Sequence, residues 1–152
     1  MMKSKDRVQA HTAPTVNRKI ERSAARRVLQ AAGQPATQIT RRIGVLDEEW
    51  DMERWLETNA SALAFSGTVL GLFVNKRFFA IPCLVLPFLF LHAVQGWCPP
   101  LPIFRHRGVR TRREIDAEKY ALKALRGDFS QVQQSKEDPA SAAHMAWQAA
   151  NA

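Results

Sequence analysis

The sequence is poor in cysteine and poor in recognisable chemistry. Cys83 and Cys98 are its only cysteines. A continuous helix would hold them roughly 22 Å apart, far beyond disulfide reach, so no disulfide framework is expected. There is no Walker loop, dinucleotide-type glycine fingerprint, Gly-x-Ser-x-Gly elbow or His-Glu-x-x-His pair, which argues against the enzyme classes those motifs serve. Cys/His clusters with metal-ligand spacing are also missing. His92 and Cys98 stand six residues apart, roughly 240° around an ideal helix, and two ligands are few for a structural zinc site. The expectation is therefore a non-enzyme with no metal and no cofactor. Residues 1–27 lack an apolar central stretch, so they do not read as a secretory signal.

Charge is the second scarcity, and it is local. Between residues 58 and 104 the only formal charges are Lys76 and Arg77; the remainder carries 20 of the 22 basic residues and all 14 acidic ones, for a net charge of +8. A basic excess suits nucleic acid or anionic lipid. The apolar region decides between them. It contains two runs, residues 56–74 and 78–97, of 19 and 20 residues. At about 1.5 Å per residue each reaches roughly 30 Å, the thickness of a bilayer's hydrocarbon core. Asn75, Lys76 and Arg77 leave room only for a tight turn, which makes the two helices antiparallel neighbours. Trp50 and Trp55 before the first run and Trp97 at the end of the second suit the membrane interface.

The first run is modestly apolar, but Ala60, Ala64, Gly67 and Gly71 make one small-residue stripe. Where lipid solvates apolar side chains equally well, close backbone approach holds helices together; the stripe is expected to serve hairpin packing or a homodimer. The second run carries Pro82 near its start and Pro87, which should kink it. Five arginines follow it: Arg105, Arg107, Arg110, Arg112 and Arg113. With Arg41, Arg42 and Arg54 before the first run, basic flanks outnumber the two charges of the turn, so both ends are expected in the cytoplasm. The five arginines are candidate contacts for anionic headgroups. Nucleic acid is disfavoured, because neither interleaved aromatics nor a recognised binding fold accompanies the charge.

Outside the hairpin, residues 1–17 read as disordered. Residues 18–32 read as a short basic helix stopped by Gly33 and Pro35. Asp47 is the expected N-cap of the charge-dense segment that leads into the first run. Beyond the proline-rich exit, Thr111 and Glu114 suggest a capping box and Gly127 a helix stop. Asp138 and Pro139 suggest a weak last helix in an otherwise tail-like segment. The expected fold is all-α: a two-helix antiparallel transmembrane hairpin with flanking cytoplasmic helices and disordered termini. Its divisions are a basic arm (1–46), an interfacial segment and hairpin (47–104), a basic juxtamembrane helix (105–127) and a tail (128–152).

Residues 59–111, about a third of the chain, resemble the YgaP-type family of bacterial inner-membrane hairpins. The likeness rests on the hairpin length and on the Gly96-Trp97-Cys98-Pro99 exit followed by Gly108 and Thr111. It implies an inner-membrane location. Some relatives append a rhodanese sulfurtransferase domain; this sequence has neither that domain nor its catalytic loop, so that activity does not carry over. The leading expectation is a non-catalytic anchor, scaffold or partner-binding protein, with the lipid bilayer, another membrane protein and a second copy as candidate partners. The alternatives are an accessory to sulfur or redox chemistry through Cys98 as a reactive thiol, and a soluble basic nucleic-acid binder. Cys98 reads first as a packing residue of the proline turn. His92, an ionisable group within a span, is a further candidate.

Overall fold

The computed structural model describes residues 6–130, 132 and 138–151, and every regular element among them is a helix. In chain order these are α1 (Arg7–Ala10), α2 (Pro14–Ala31), α3 (Ala36–Glu48), α4 (Met52–Phe73), a 3-10 turn (Lys76–Phe79), α5 (Ala80–Gln95), α6 (Leu101–His106), α7 (Arg112–Arg126) and α8 (Pro139–Asn151). The all-α expectation holds. The chain divides into two compact units, one from residues 6–20 and 50–113, the other from 21–49 and 114–151. Each unit gathers segments far apart in the chain.

The first unit is built on α4 and α5, which pack together as a helical hairpin. Asp51 starts α4 by accepting the Arg54 N–H at 2.9 Å, satisfying one of the donors a first turn leaves open. Asp47 does not play that part: it lies inside α3 and pairs with Lys119. At the hairpin's turn the Asn75 side chain accepts the Arg77 N–H at 2.9 Å and so starts the 3-10 turn. Pro82 is buried near the start of α5 and Pro87 lies inside it.

The unit's apolar cluster joins Val8, Met52, Leu56, Cys98 and Leu101, with Phe104 and Val109 against it. Val8 corrects the expectation of disorder over residues 6–17. Asp6 caps α1 by accepting the Val8 N–H at 2.9 Å, and the Asn17 amide donates to the Gln9 carbonyl at 2.9 Å. Val8, Val16 and Ile20 are all buried. Three apolar anchors and a cap offset the ordering entropy that the polar composition alone does not repay. Residues 1–5 of that expectation lie outside the described residues.

The second unit has its own core: Ala31, Ile39, Ile43, Leu46, Ile115 and Leu122, with Val28 packed on it. The helix expected over residues 18–32 is α2, and it ends before Gly33. α7 ends where expected, at Gly127, which takes a left-handed φ of 91°. Lys123 on α7 is fully buried and donates to the carbonyls of Ala149 and Ala150, at 3.3 and 2.7 Å. A cation on the last carbonyls of a helix opposes the negative end of its dipole, so Lys123 holds the C-terminus of α8. The weak last helix is present, begun by the Asp138 side chain accepting the Ala140 N–H at 3.1 Å. Residues 131, 133–137 and 152 of the expected tail lie outside the described residues.

Candidate functional site

Of the residues singled out by sequence, His92 and Cys98 flank the exit turn that follows α5, and the small-residue stripe lies along α4. Gly96 ends α5 with φ 79°, its N–H reaching the His92 carbonyl at 2.7 Å. A side chain there would stand 2.5 Å from Arg7 Cβ. Glycine is thus required twice, for the left-handed turn and for the approach of α1. Arg7 uses that approach to donate to the carbonyls of Ala93 and Val94, at 2.5 and 3.3 Å, and so caps α5. His92 is buried in the last turn of α5, and its Nδ1 has no hydrogen-bond partner among the described residues.

Cys98 is 3% exposed and packs in the apolar cluster with Met52, Leu56 and Leu101. Burial pushes its thiol above the ordinary range, only partly offset by the Leu101 backbone N–H. An activated thiolate needs access and a favourable charge environment, and this position withholds the first. The thiol's surroundings favour the packing role. We expect the alkylation rate of Cys98 in permeabilised membranes to keep rising through pH 8.5 and to reach half-maximum above the free-thiol value of about 8.5. A midpoint a unit or more below that value would restore the redox reading. Cys83 is exposed on α5.

The five arginines separate into two groups. Arg105 and Arg110 are 1% and 4% exposed. Arg105 donates to the Val109 carbonyl at 3.0 Å and to the Asn17 carboxamide oxygen at 2.7 Å, closing the loop after α6 and fastening it to α2. The Arg110 carbonyl accepts the Met52 N–H at 2.8 Å. Both residues are internal fasteners, so their expected role as headgroup contacts is corrected. Arg107, Arg112 and Arg113 are exposed.

The small-residue stripe also resolves. Gly67 and Gly71 are buried, Ala60 and Ala64 half-buried. A Cβ on Gly67 would lie 2.7 Å from both Ile81 Cβ and Pro82 Cδ, and one on Gly71 would lie 3.0 Å from the Phe79 ring. The two glycines face α5 and its leading turn, so this part of the stripe closes the hairpin on itself. A homodimer would have to use another face.

Sequence reading missed one local arrangement, a stack built on the start of α4. The Arg54 guanidinium lies 4.3 Å from the centroid of Trp50. Trp50 is 5.3 Å from Trp55, and Trp55 is 5.9 Å from Phe104 on α6. The Trp-x-x-x-Arg-Trp spacing, with an arginine between two tryptophans, was its available signal. No group of three or more potential metal ligands occurs among the described residues. No family model, curated protein or solved structure matches the chain.

One helical stretch among the described residues, Lys76–Gln95, is long and apolar enough to cross a membrane, and 11% of its apolar window is buried within the protein. α4 is longer but does not meet that measure, because it carries Glu53, Arg54, Glu57, Thr58, Asn59, Ser61 and Ser66.

Proposed function

We propose that the chain is a small integral protein of the bacterial inner membrane. In this reading α4 and α5 cross the bilayer as an antiparallel pair with both ends cytoplasmic. The protein acts without catalysis, as an anchor or scaffold for another membrane protein. The observation that carries the reading is the exposure of large apolar side chains around the hairpin, among them Phe65, Leu72 and Phe73 on α4 and Leu84, Leu86 and Phe90 on α5; Phe65 is 72% and Phe90 71% exposed. In water such a surface is an association site or a liability, whereas in hydrocarbon it is solvated.

The polar content of α4 is the counter-argument, and local hydrogen bonding weakens it. Thr68 donates to the Ala64 carbonyl at 2.8 Å, Ser61 to Thr58 at 3.1 Å, and the Asn59 amide to Trp55 at 2.7 Å. Polar groups that bond to their own helix reduce the cost of leaving water. The likeness of residues 59–111 to YgaP-type hairpins points the same way.

The protein should stay in the membrane pellet after alkaline carbonate extraction. Release into the supernatant would overturn the hairpin reading and revive the soluble nucleic-acid one. The topology has its own readout. A cysteine introduced as Ser141→Cys should be shielded from a membrane-impermeant thiol reagent in intact cells and should react once the cells are opened. Labelling from outside would refute the both-ends-in arrangement.

A further inference from the structure

α2 is one unbroken helix of 18 residues, Pro14–Ala31. At about 100° per residue its side chains sort into two opposite faces. Val16, Ile20 and Ala31 are buried, and Arg27 on the same side pairs with Glu118. Arg18, Lys19, Arg22 and Arg26 are all exposed and fall within an arc of roughly 100° on the other side. Arg112 and Arg113 have partners within the protein, whereas these four make no side-chain hydrogen bond or ion pair among the described residues. Arg22 stands four residues from both Arg18 and Arg26, a spacing at which like charges repel. The arc contains no acid. Glu21, the one acid of α2, lies beyond its edge, roughly 60° from Arg18. Leu29 falls inside the arc and is 76% exposed.

We propose that the outer face of α2 docks flat on the surface of an anionic phospholipid bilayer, with Arg18, Lys19, Arg22 and Arg26 over the phosphodiester groups and Leu29 entering the headgroup layer. The proposal rests on the membrane-hairpin reading and deepens it by naming the lipid class and the element that meets it.

Charge complementarity selects the occupant. An anionic plane relieves the repulsion along the arc, and each cation brought near such a surface favours docking about fivefold. Guanidinium forks match phosphate oxygens in geometry and stay charged at any relevant pH. Leu29 argues for a bilayer and against nucleic acid. A lone leucine among cations gains nothing beside a phosphate backbone, whereas a headgroup layer has hydrocarbon beneath it. Reach follows from contacts within the first unit. The Asn17 carboxamide oxygen accepts from Arg105 on α6 at 2.7 Å, so the residue just before Arg18 is fastened to the segment that leaves the hairpin. The large apolar residues Val16 and Ile20 are spent inside the protein. The contact is therefore electrostatic and salt-sensitive, with the helix resting on the surface and not inserted into it.

The test uses the full-length protein carrying Leu29→Cys and Cys83→Ser, labelled with a nitroxide at position 29 and reconstituted in nanodiscs; Cys98 is buried. Collisions of the nitroxide with a neutral nickel chelate, which samples water, are compared with its collisions with oxygen, which concentrates in hydrocarbon. In phosphatidylcholine discs the chelate should reach the label freely. In discs of equimolar phosphatidylglycerol and phosphatidylcholine its collision rate should fall severalfold and the oxygen rate should rise. Both changes should reverse in about 0.5 M NaCl, where the screening length is only a few ångströms. The variant R18Q/K19Q/R22Q/R26Q should lose the response, and R18K/R22K/R26K should keep it. Glutamine forms helix about as well as arginine or lysine, so the pair separates charge from folding. Equal rates in the two kinds of disc, for a chain that resists carbonate extraction, would overturn the docking face and leave the hairpin reading standing. An unchanged response in the glutamine variant would overturn it as well. So would the same response to millimolar inorganic phosphate in phosphatidylcholine discs, which would assign the face to a free anion. A response to duplex RNA in phosphatidylcholine discs, with none to phosphatidylglycerol, would overturn it in favour of nucleic acid. A chain released by carbonate would overturn the hairpin reading and this inference together.

Discussion

Gly67→Ala is expected to destabilise the hairpin by about 1–3 kcal/mol, the range for overpacking a well-filled interface, and Gly71→Ala by less. The difference lies in what each new methyl would meet. At Gly67 the neighbours are Ile81 Cβ and Pro82 Cδ, both at 2.7 Å. One is a branch point fixed to its backbone and the other part of a ring closed onto its own nitrogen, so neither can turn aside. Only separation of α4 from α5 would admit the methyl. At Gly71 the neighbour is the Phe79 ring at 3.0 Å, which can yield by a small rotation. Gly67→Leu should go further and open the hairpin near its middle. The measurement is thermal unfolding in detergent. Equal losses at the two positions, or none at Gly67, would mean that the helices are not held at this distance. Because the glycines are spent inside the hairpin, dimer yield should not track these losses.

Much of the architecture was legible because its signals are local. The length of the apolar runs, the turn at Asn75, the end of α2 before Gly33 and the end of α7 at Gly127 all follow from composition and from backbone chemistry within a few residues. α3 was missed although Ile39, Ile43 and Leu46 follow i, i+4, i+7 spacing after Pro35. The charge-dense segment beside it drew attention to Asp47 as a cap when the cap is Asp51. What the sequence could not disclose was direction. Arg105 and Arg110 look like their neighbours Arg107 and Arg112, and it takes distant or backbone partners, Asn17, Val109 and Met52 among them, to turn that part of the chain inward. Cys98 is similar. Its place after a span implied access to water, and packing of Val8 and Leu101 around it removed that access.

The same blindness to long-range pairing concealed the polar centre of the second unit, where a single substitution is again expected to cost heavily. The Glu118 side chain has 0% exposure and is held by two arginines from distant segments. Arg27 donates from Nε at 3.0 and 3.1 Å and from Nη2 at 2.8 Å; Arg42 donates from Nε at 3.2 Å and from Nη2 at 2.8 Å. The carboxylate thereby ties α2 and α3 to α7 beside the apolar core. Glu118→Ala removes the acceptor for both arginines and leaves two like charges facing a void. Breaking a buried pair by deleting one partner costs about 3–5 kcal/mol. The arginine side chains are 35% and 31% exposed, so water can recover part of their solvation and the loss should fall near the lower end, about 3 kcal/mol. Faster hydrogen exchange of the α7 amides, together with a lower unfolding midpoint, is the readout. The triple variant R27M/E118M/R42M should regain most of the loss, since an apolar trio of similar volume avoids the desolvation of three charges. A Glu118→Ala effect below about 1 kcal/mol, the range of solvent-exposed ion pairs, would mean that the carboxylate is not sealed from water and that the apolar residues alone hold this unit together.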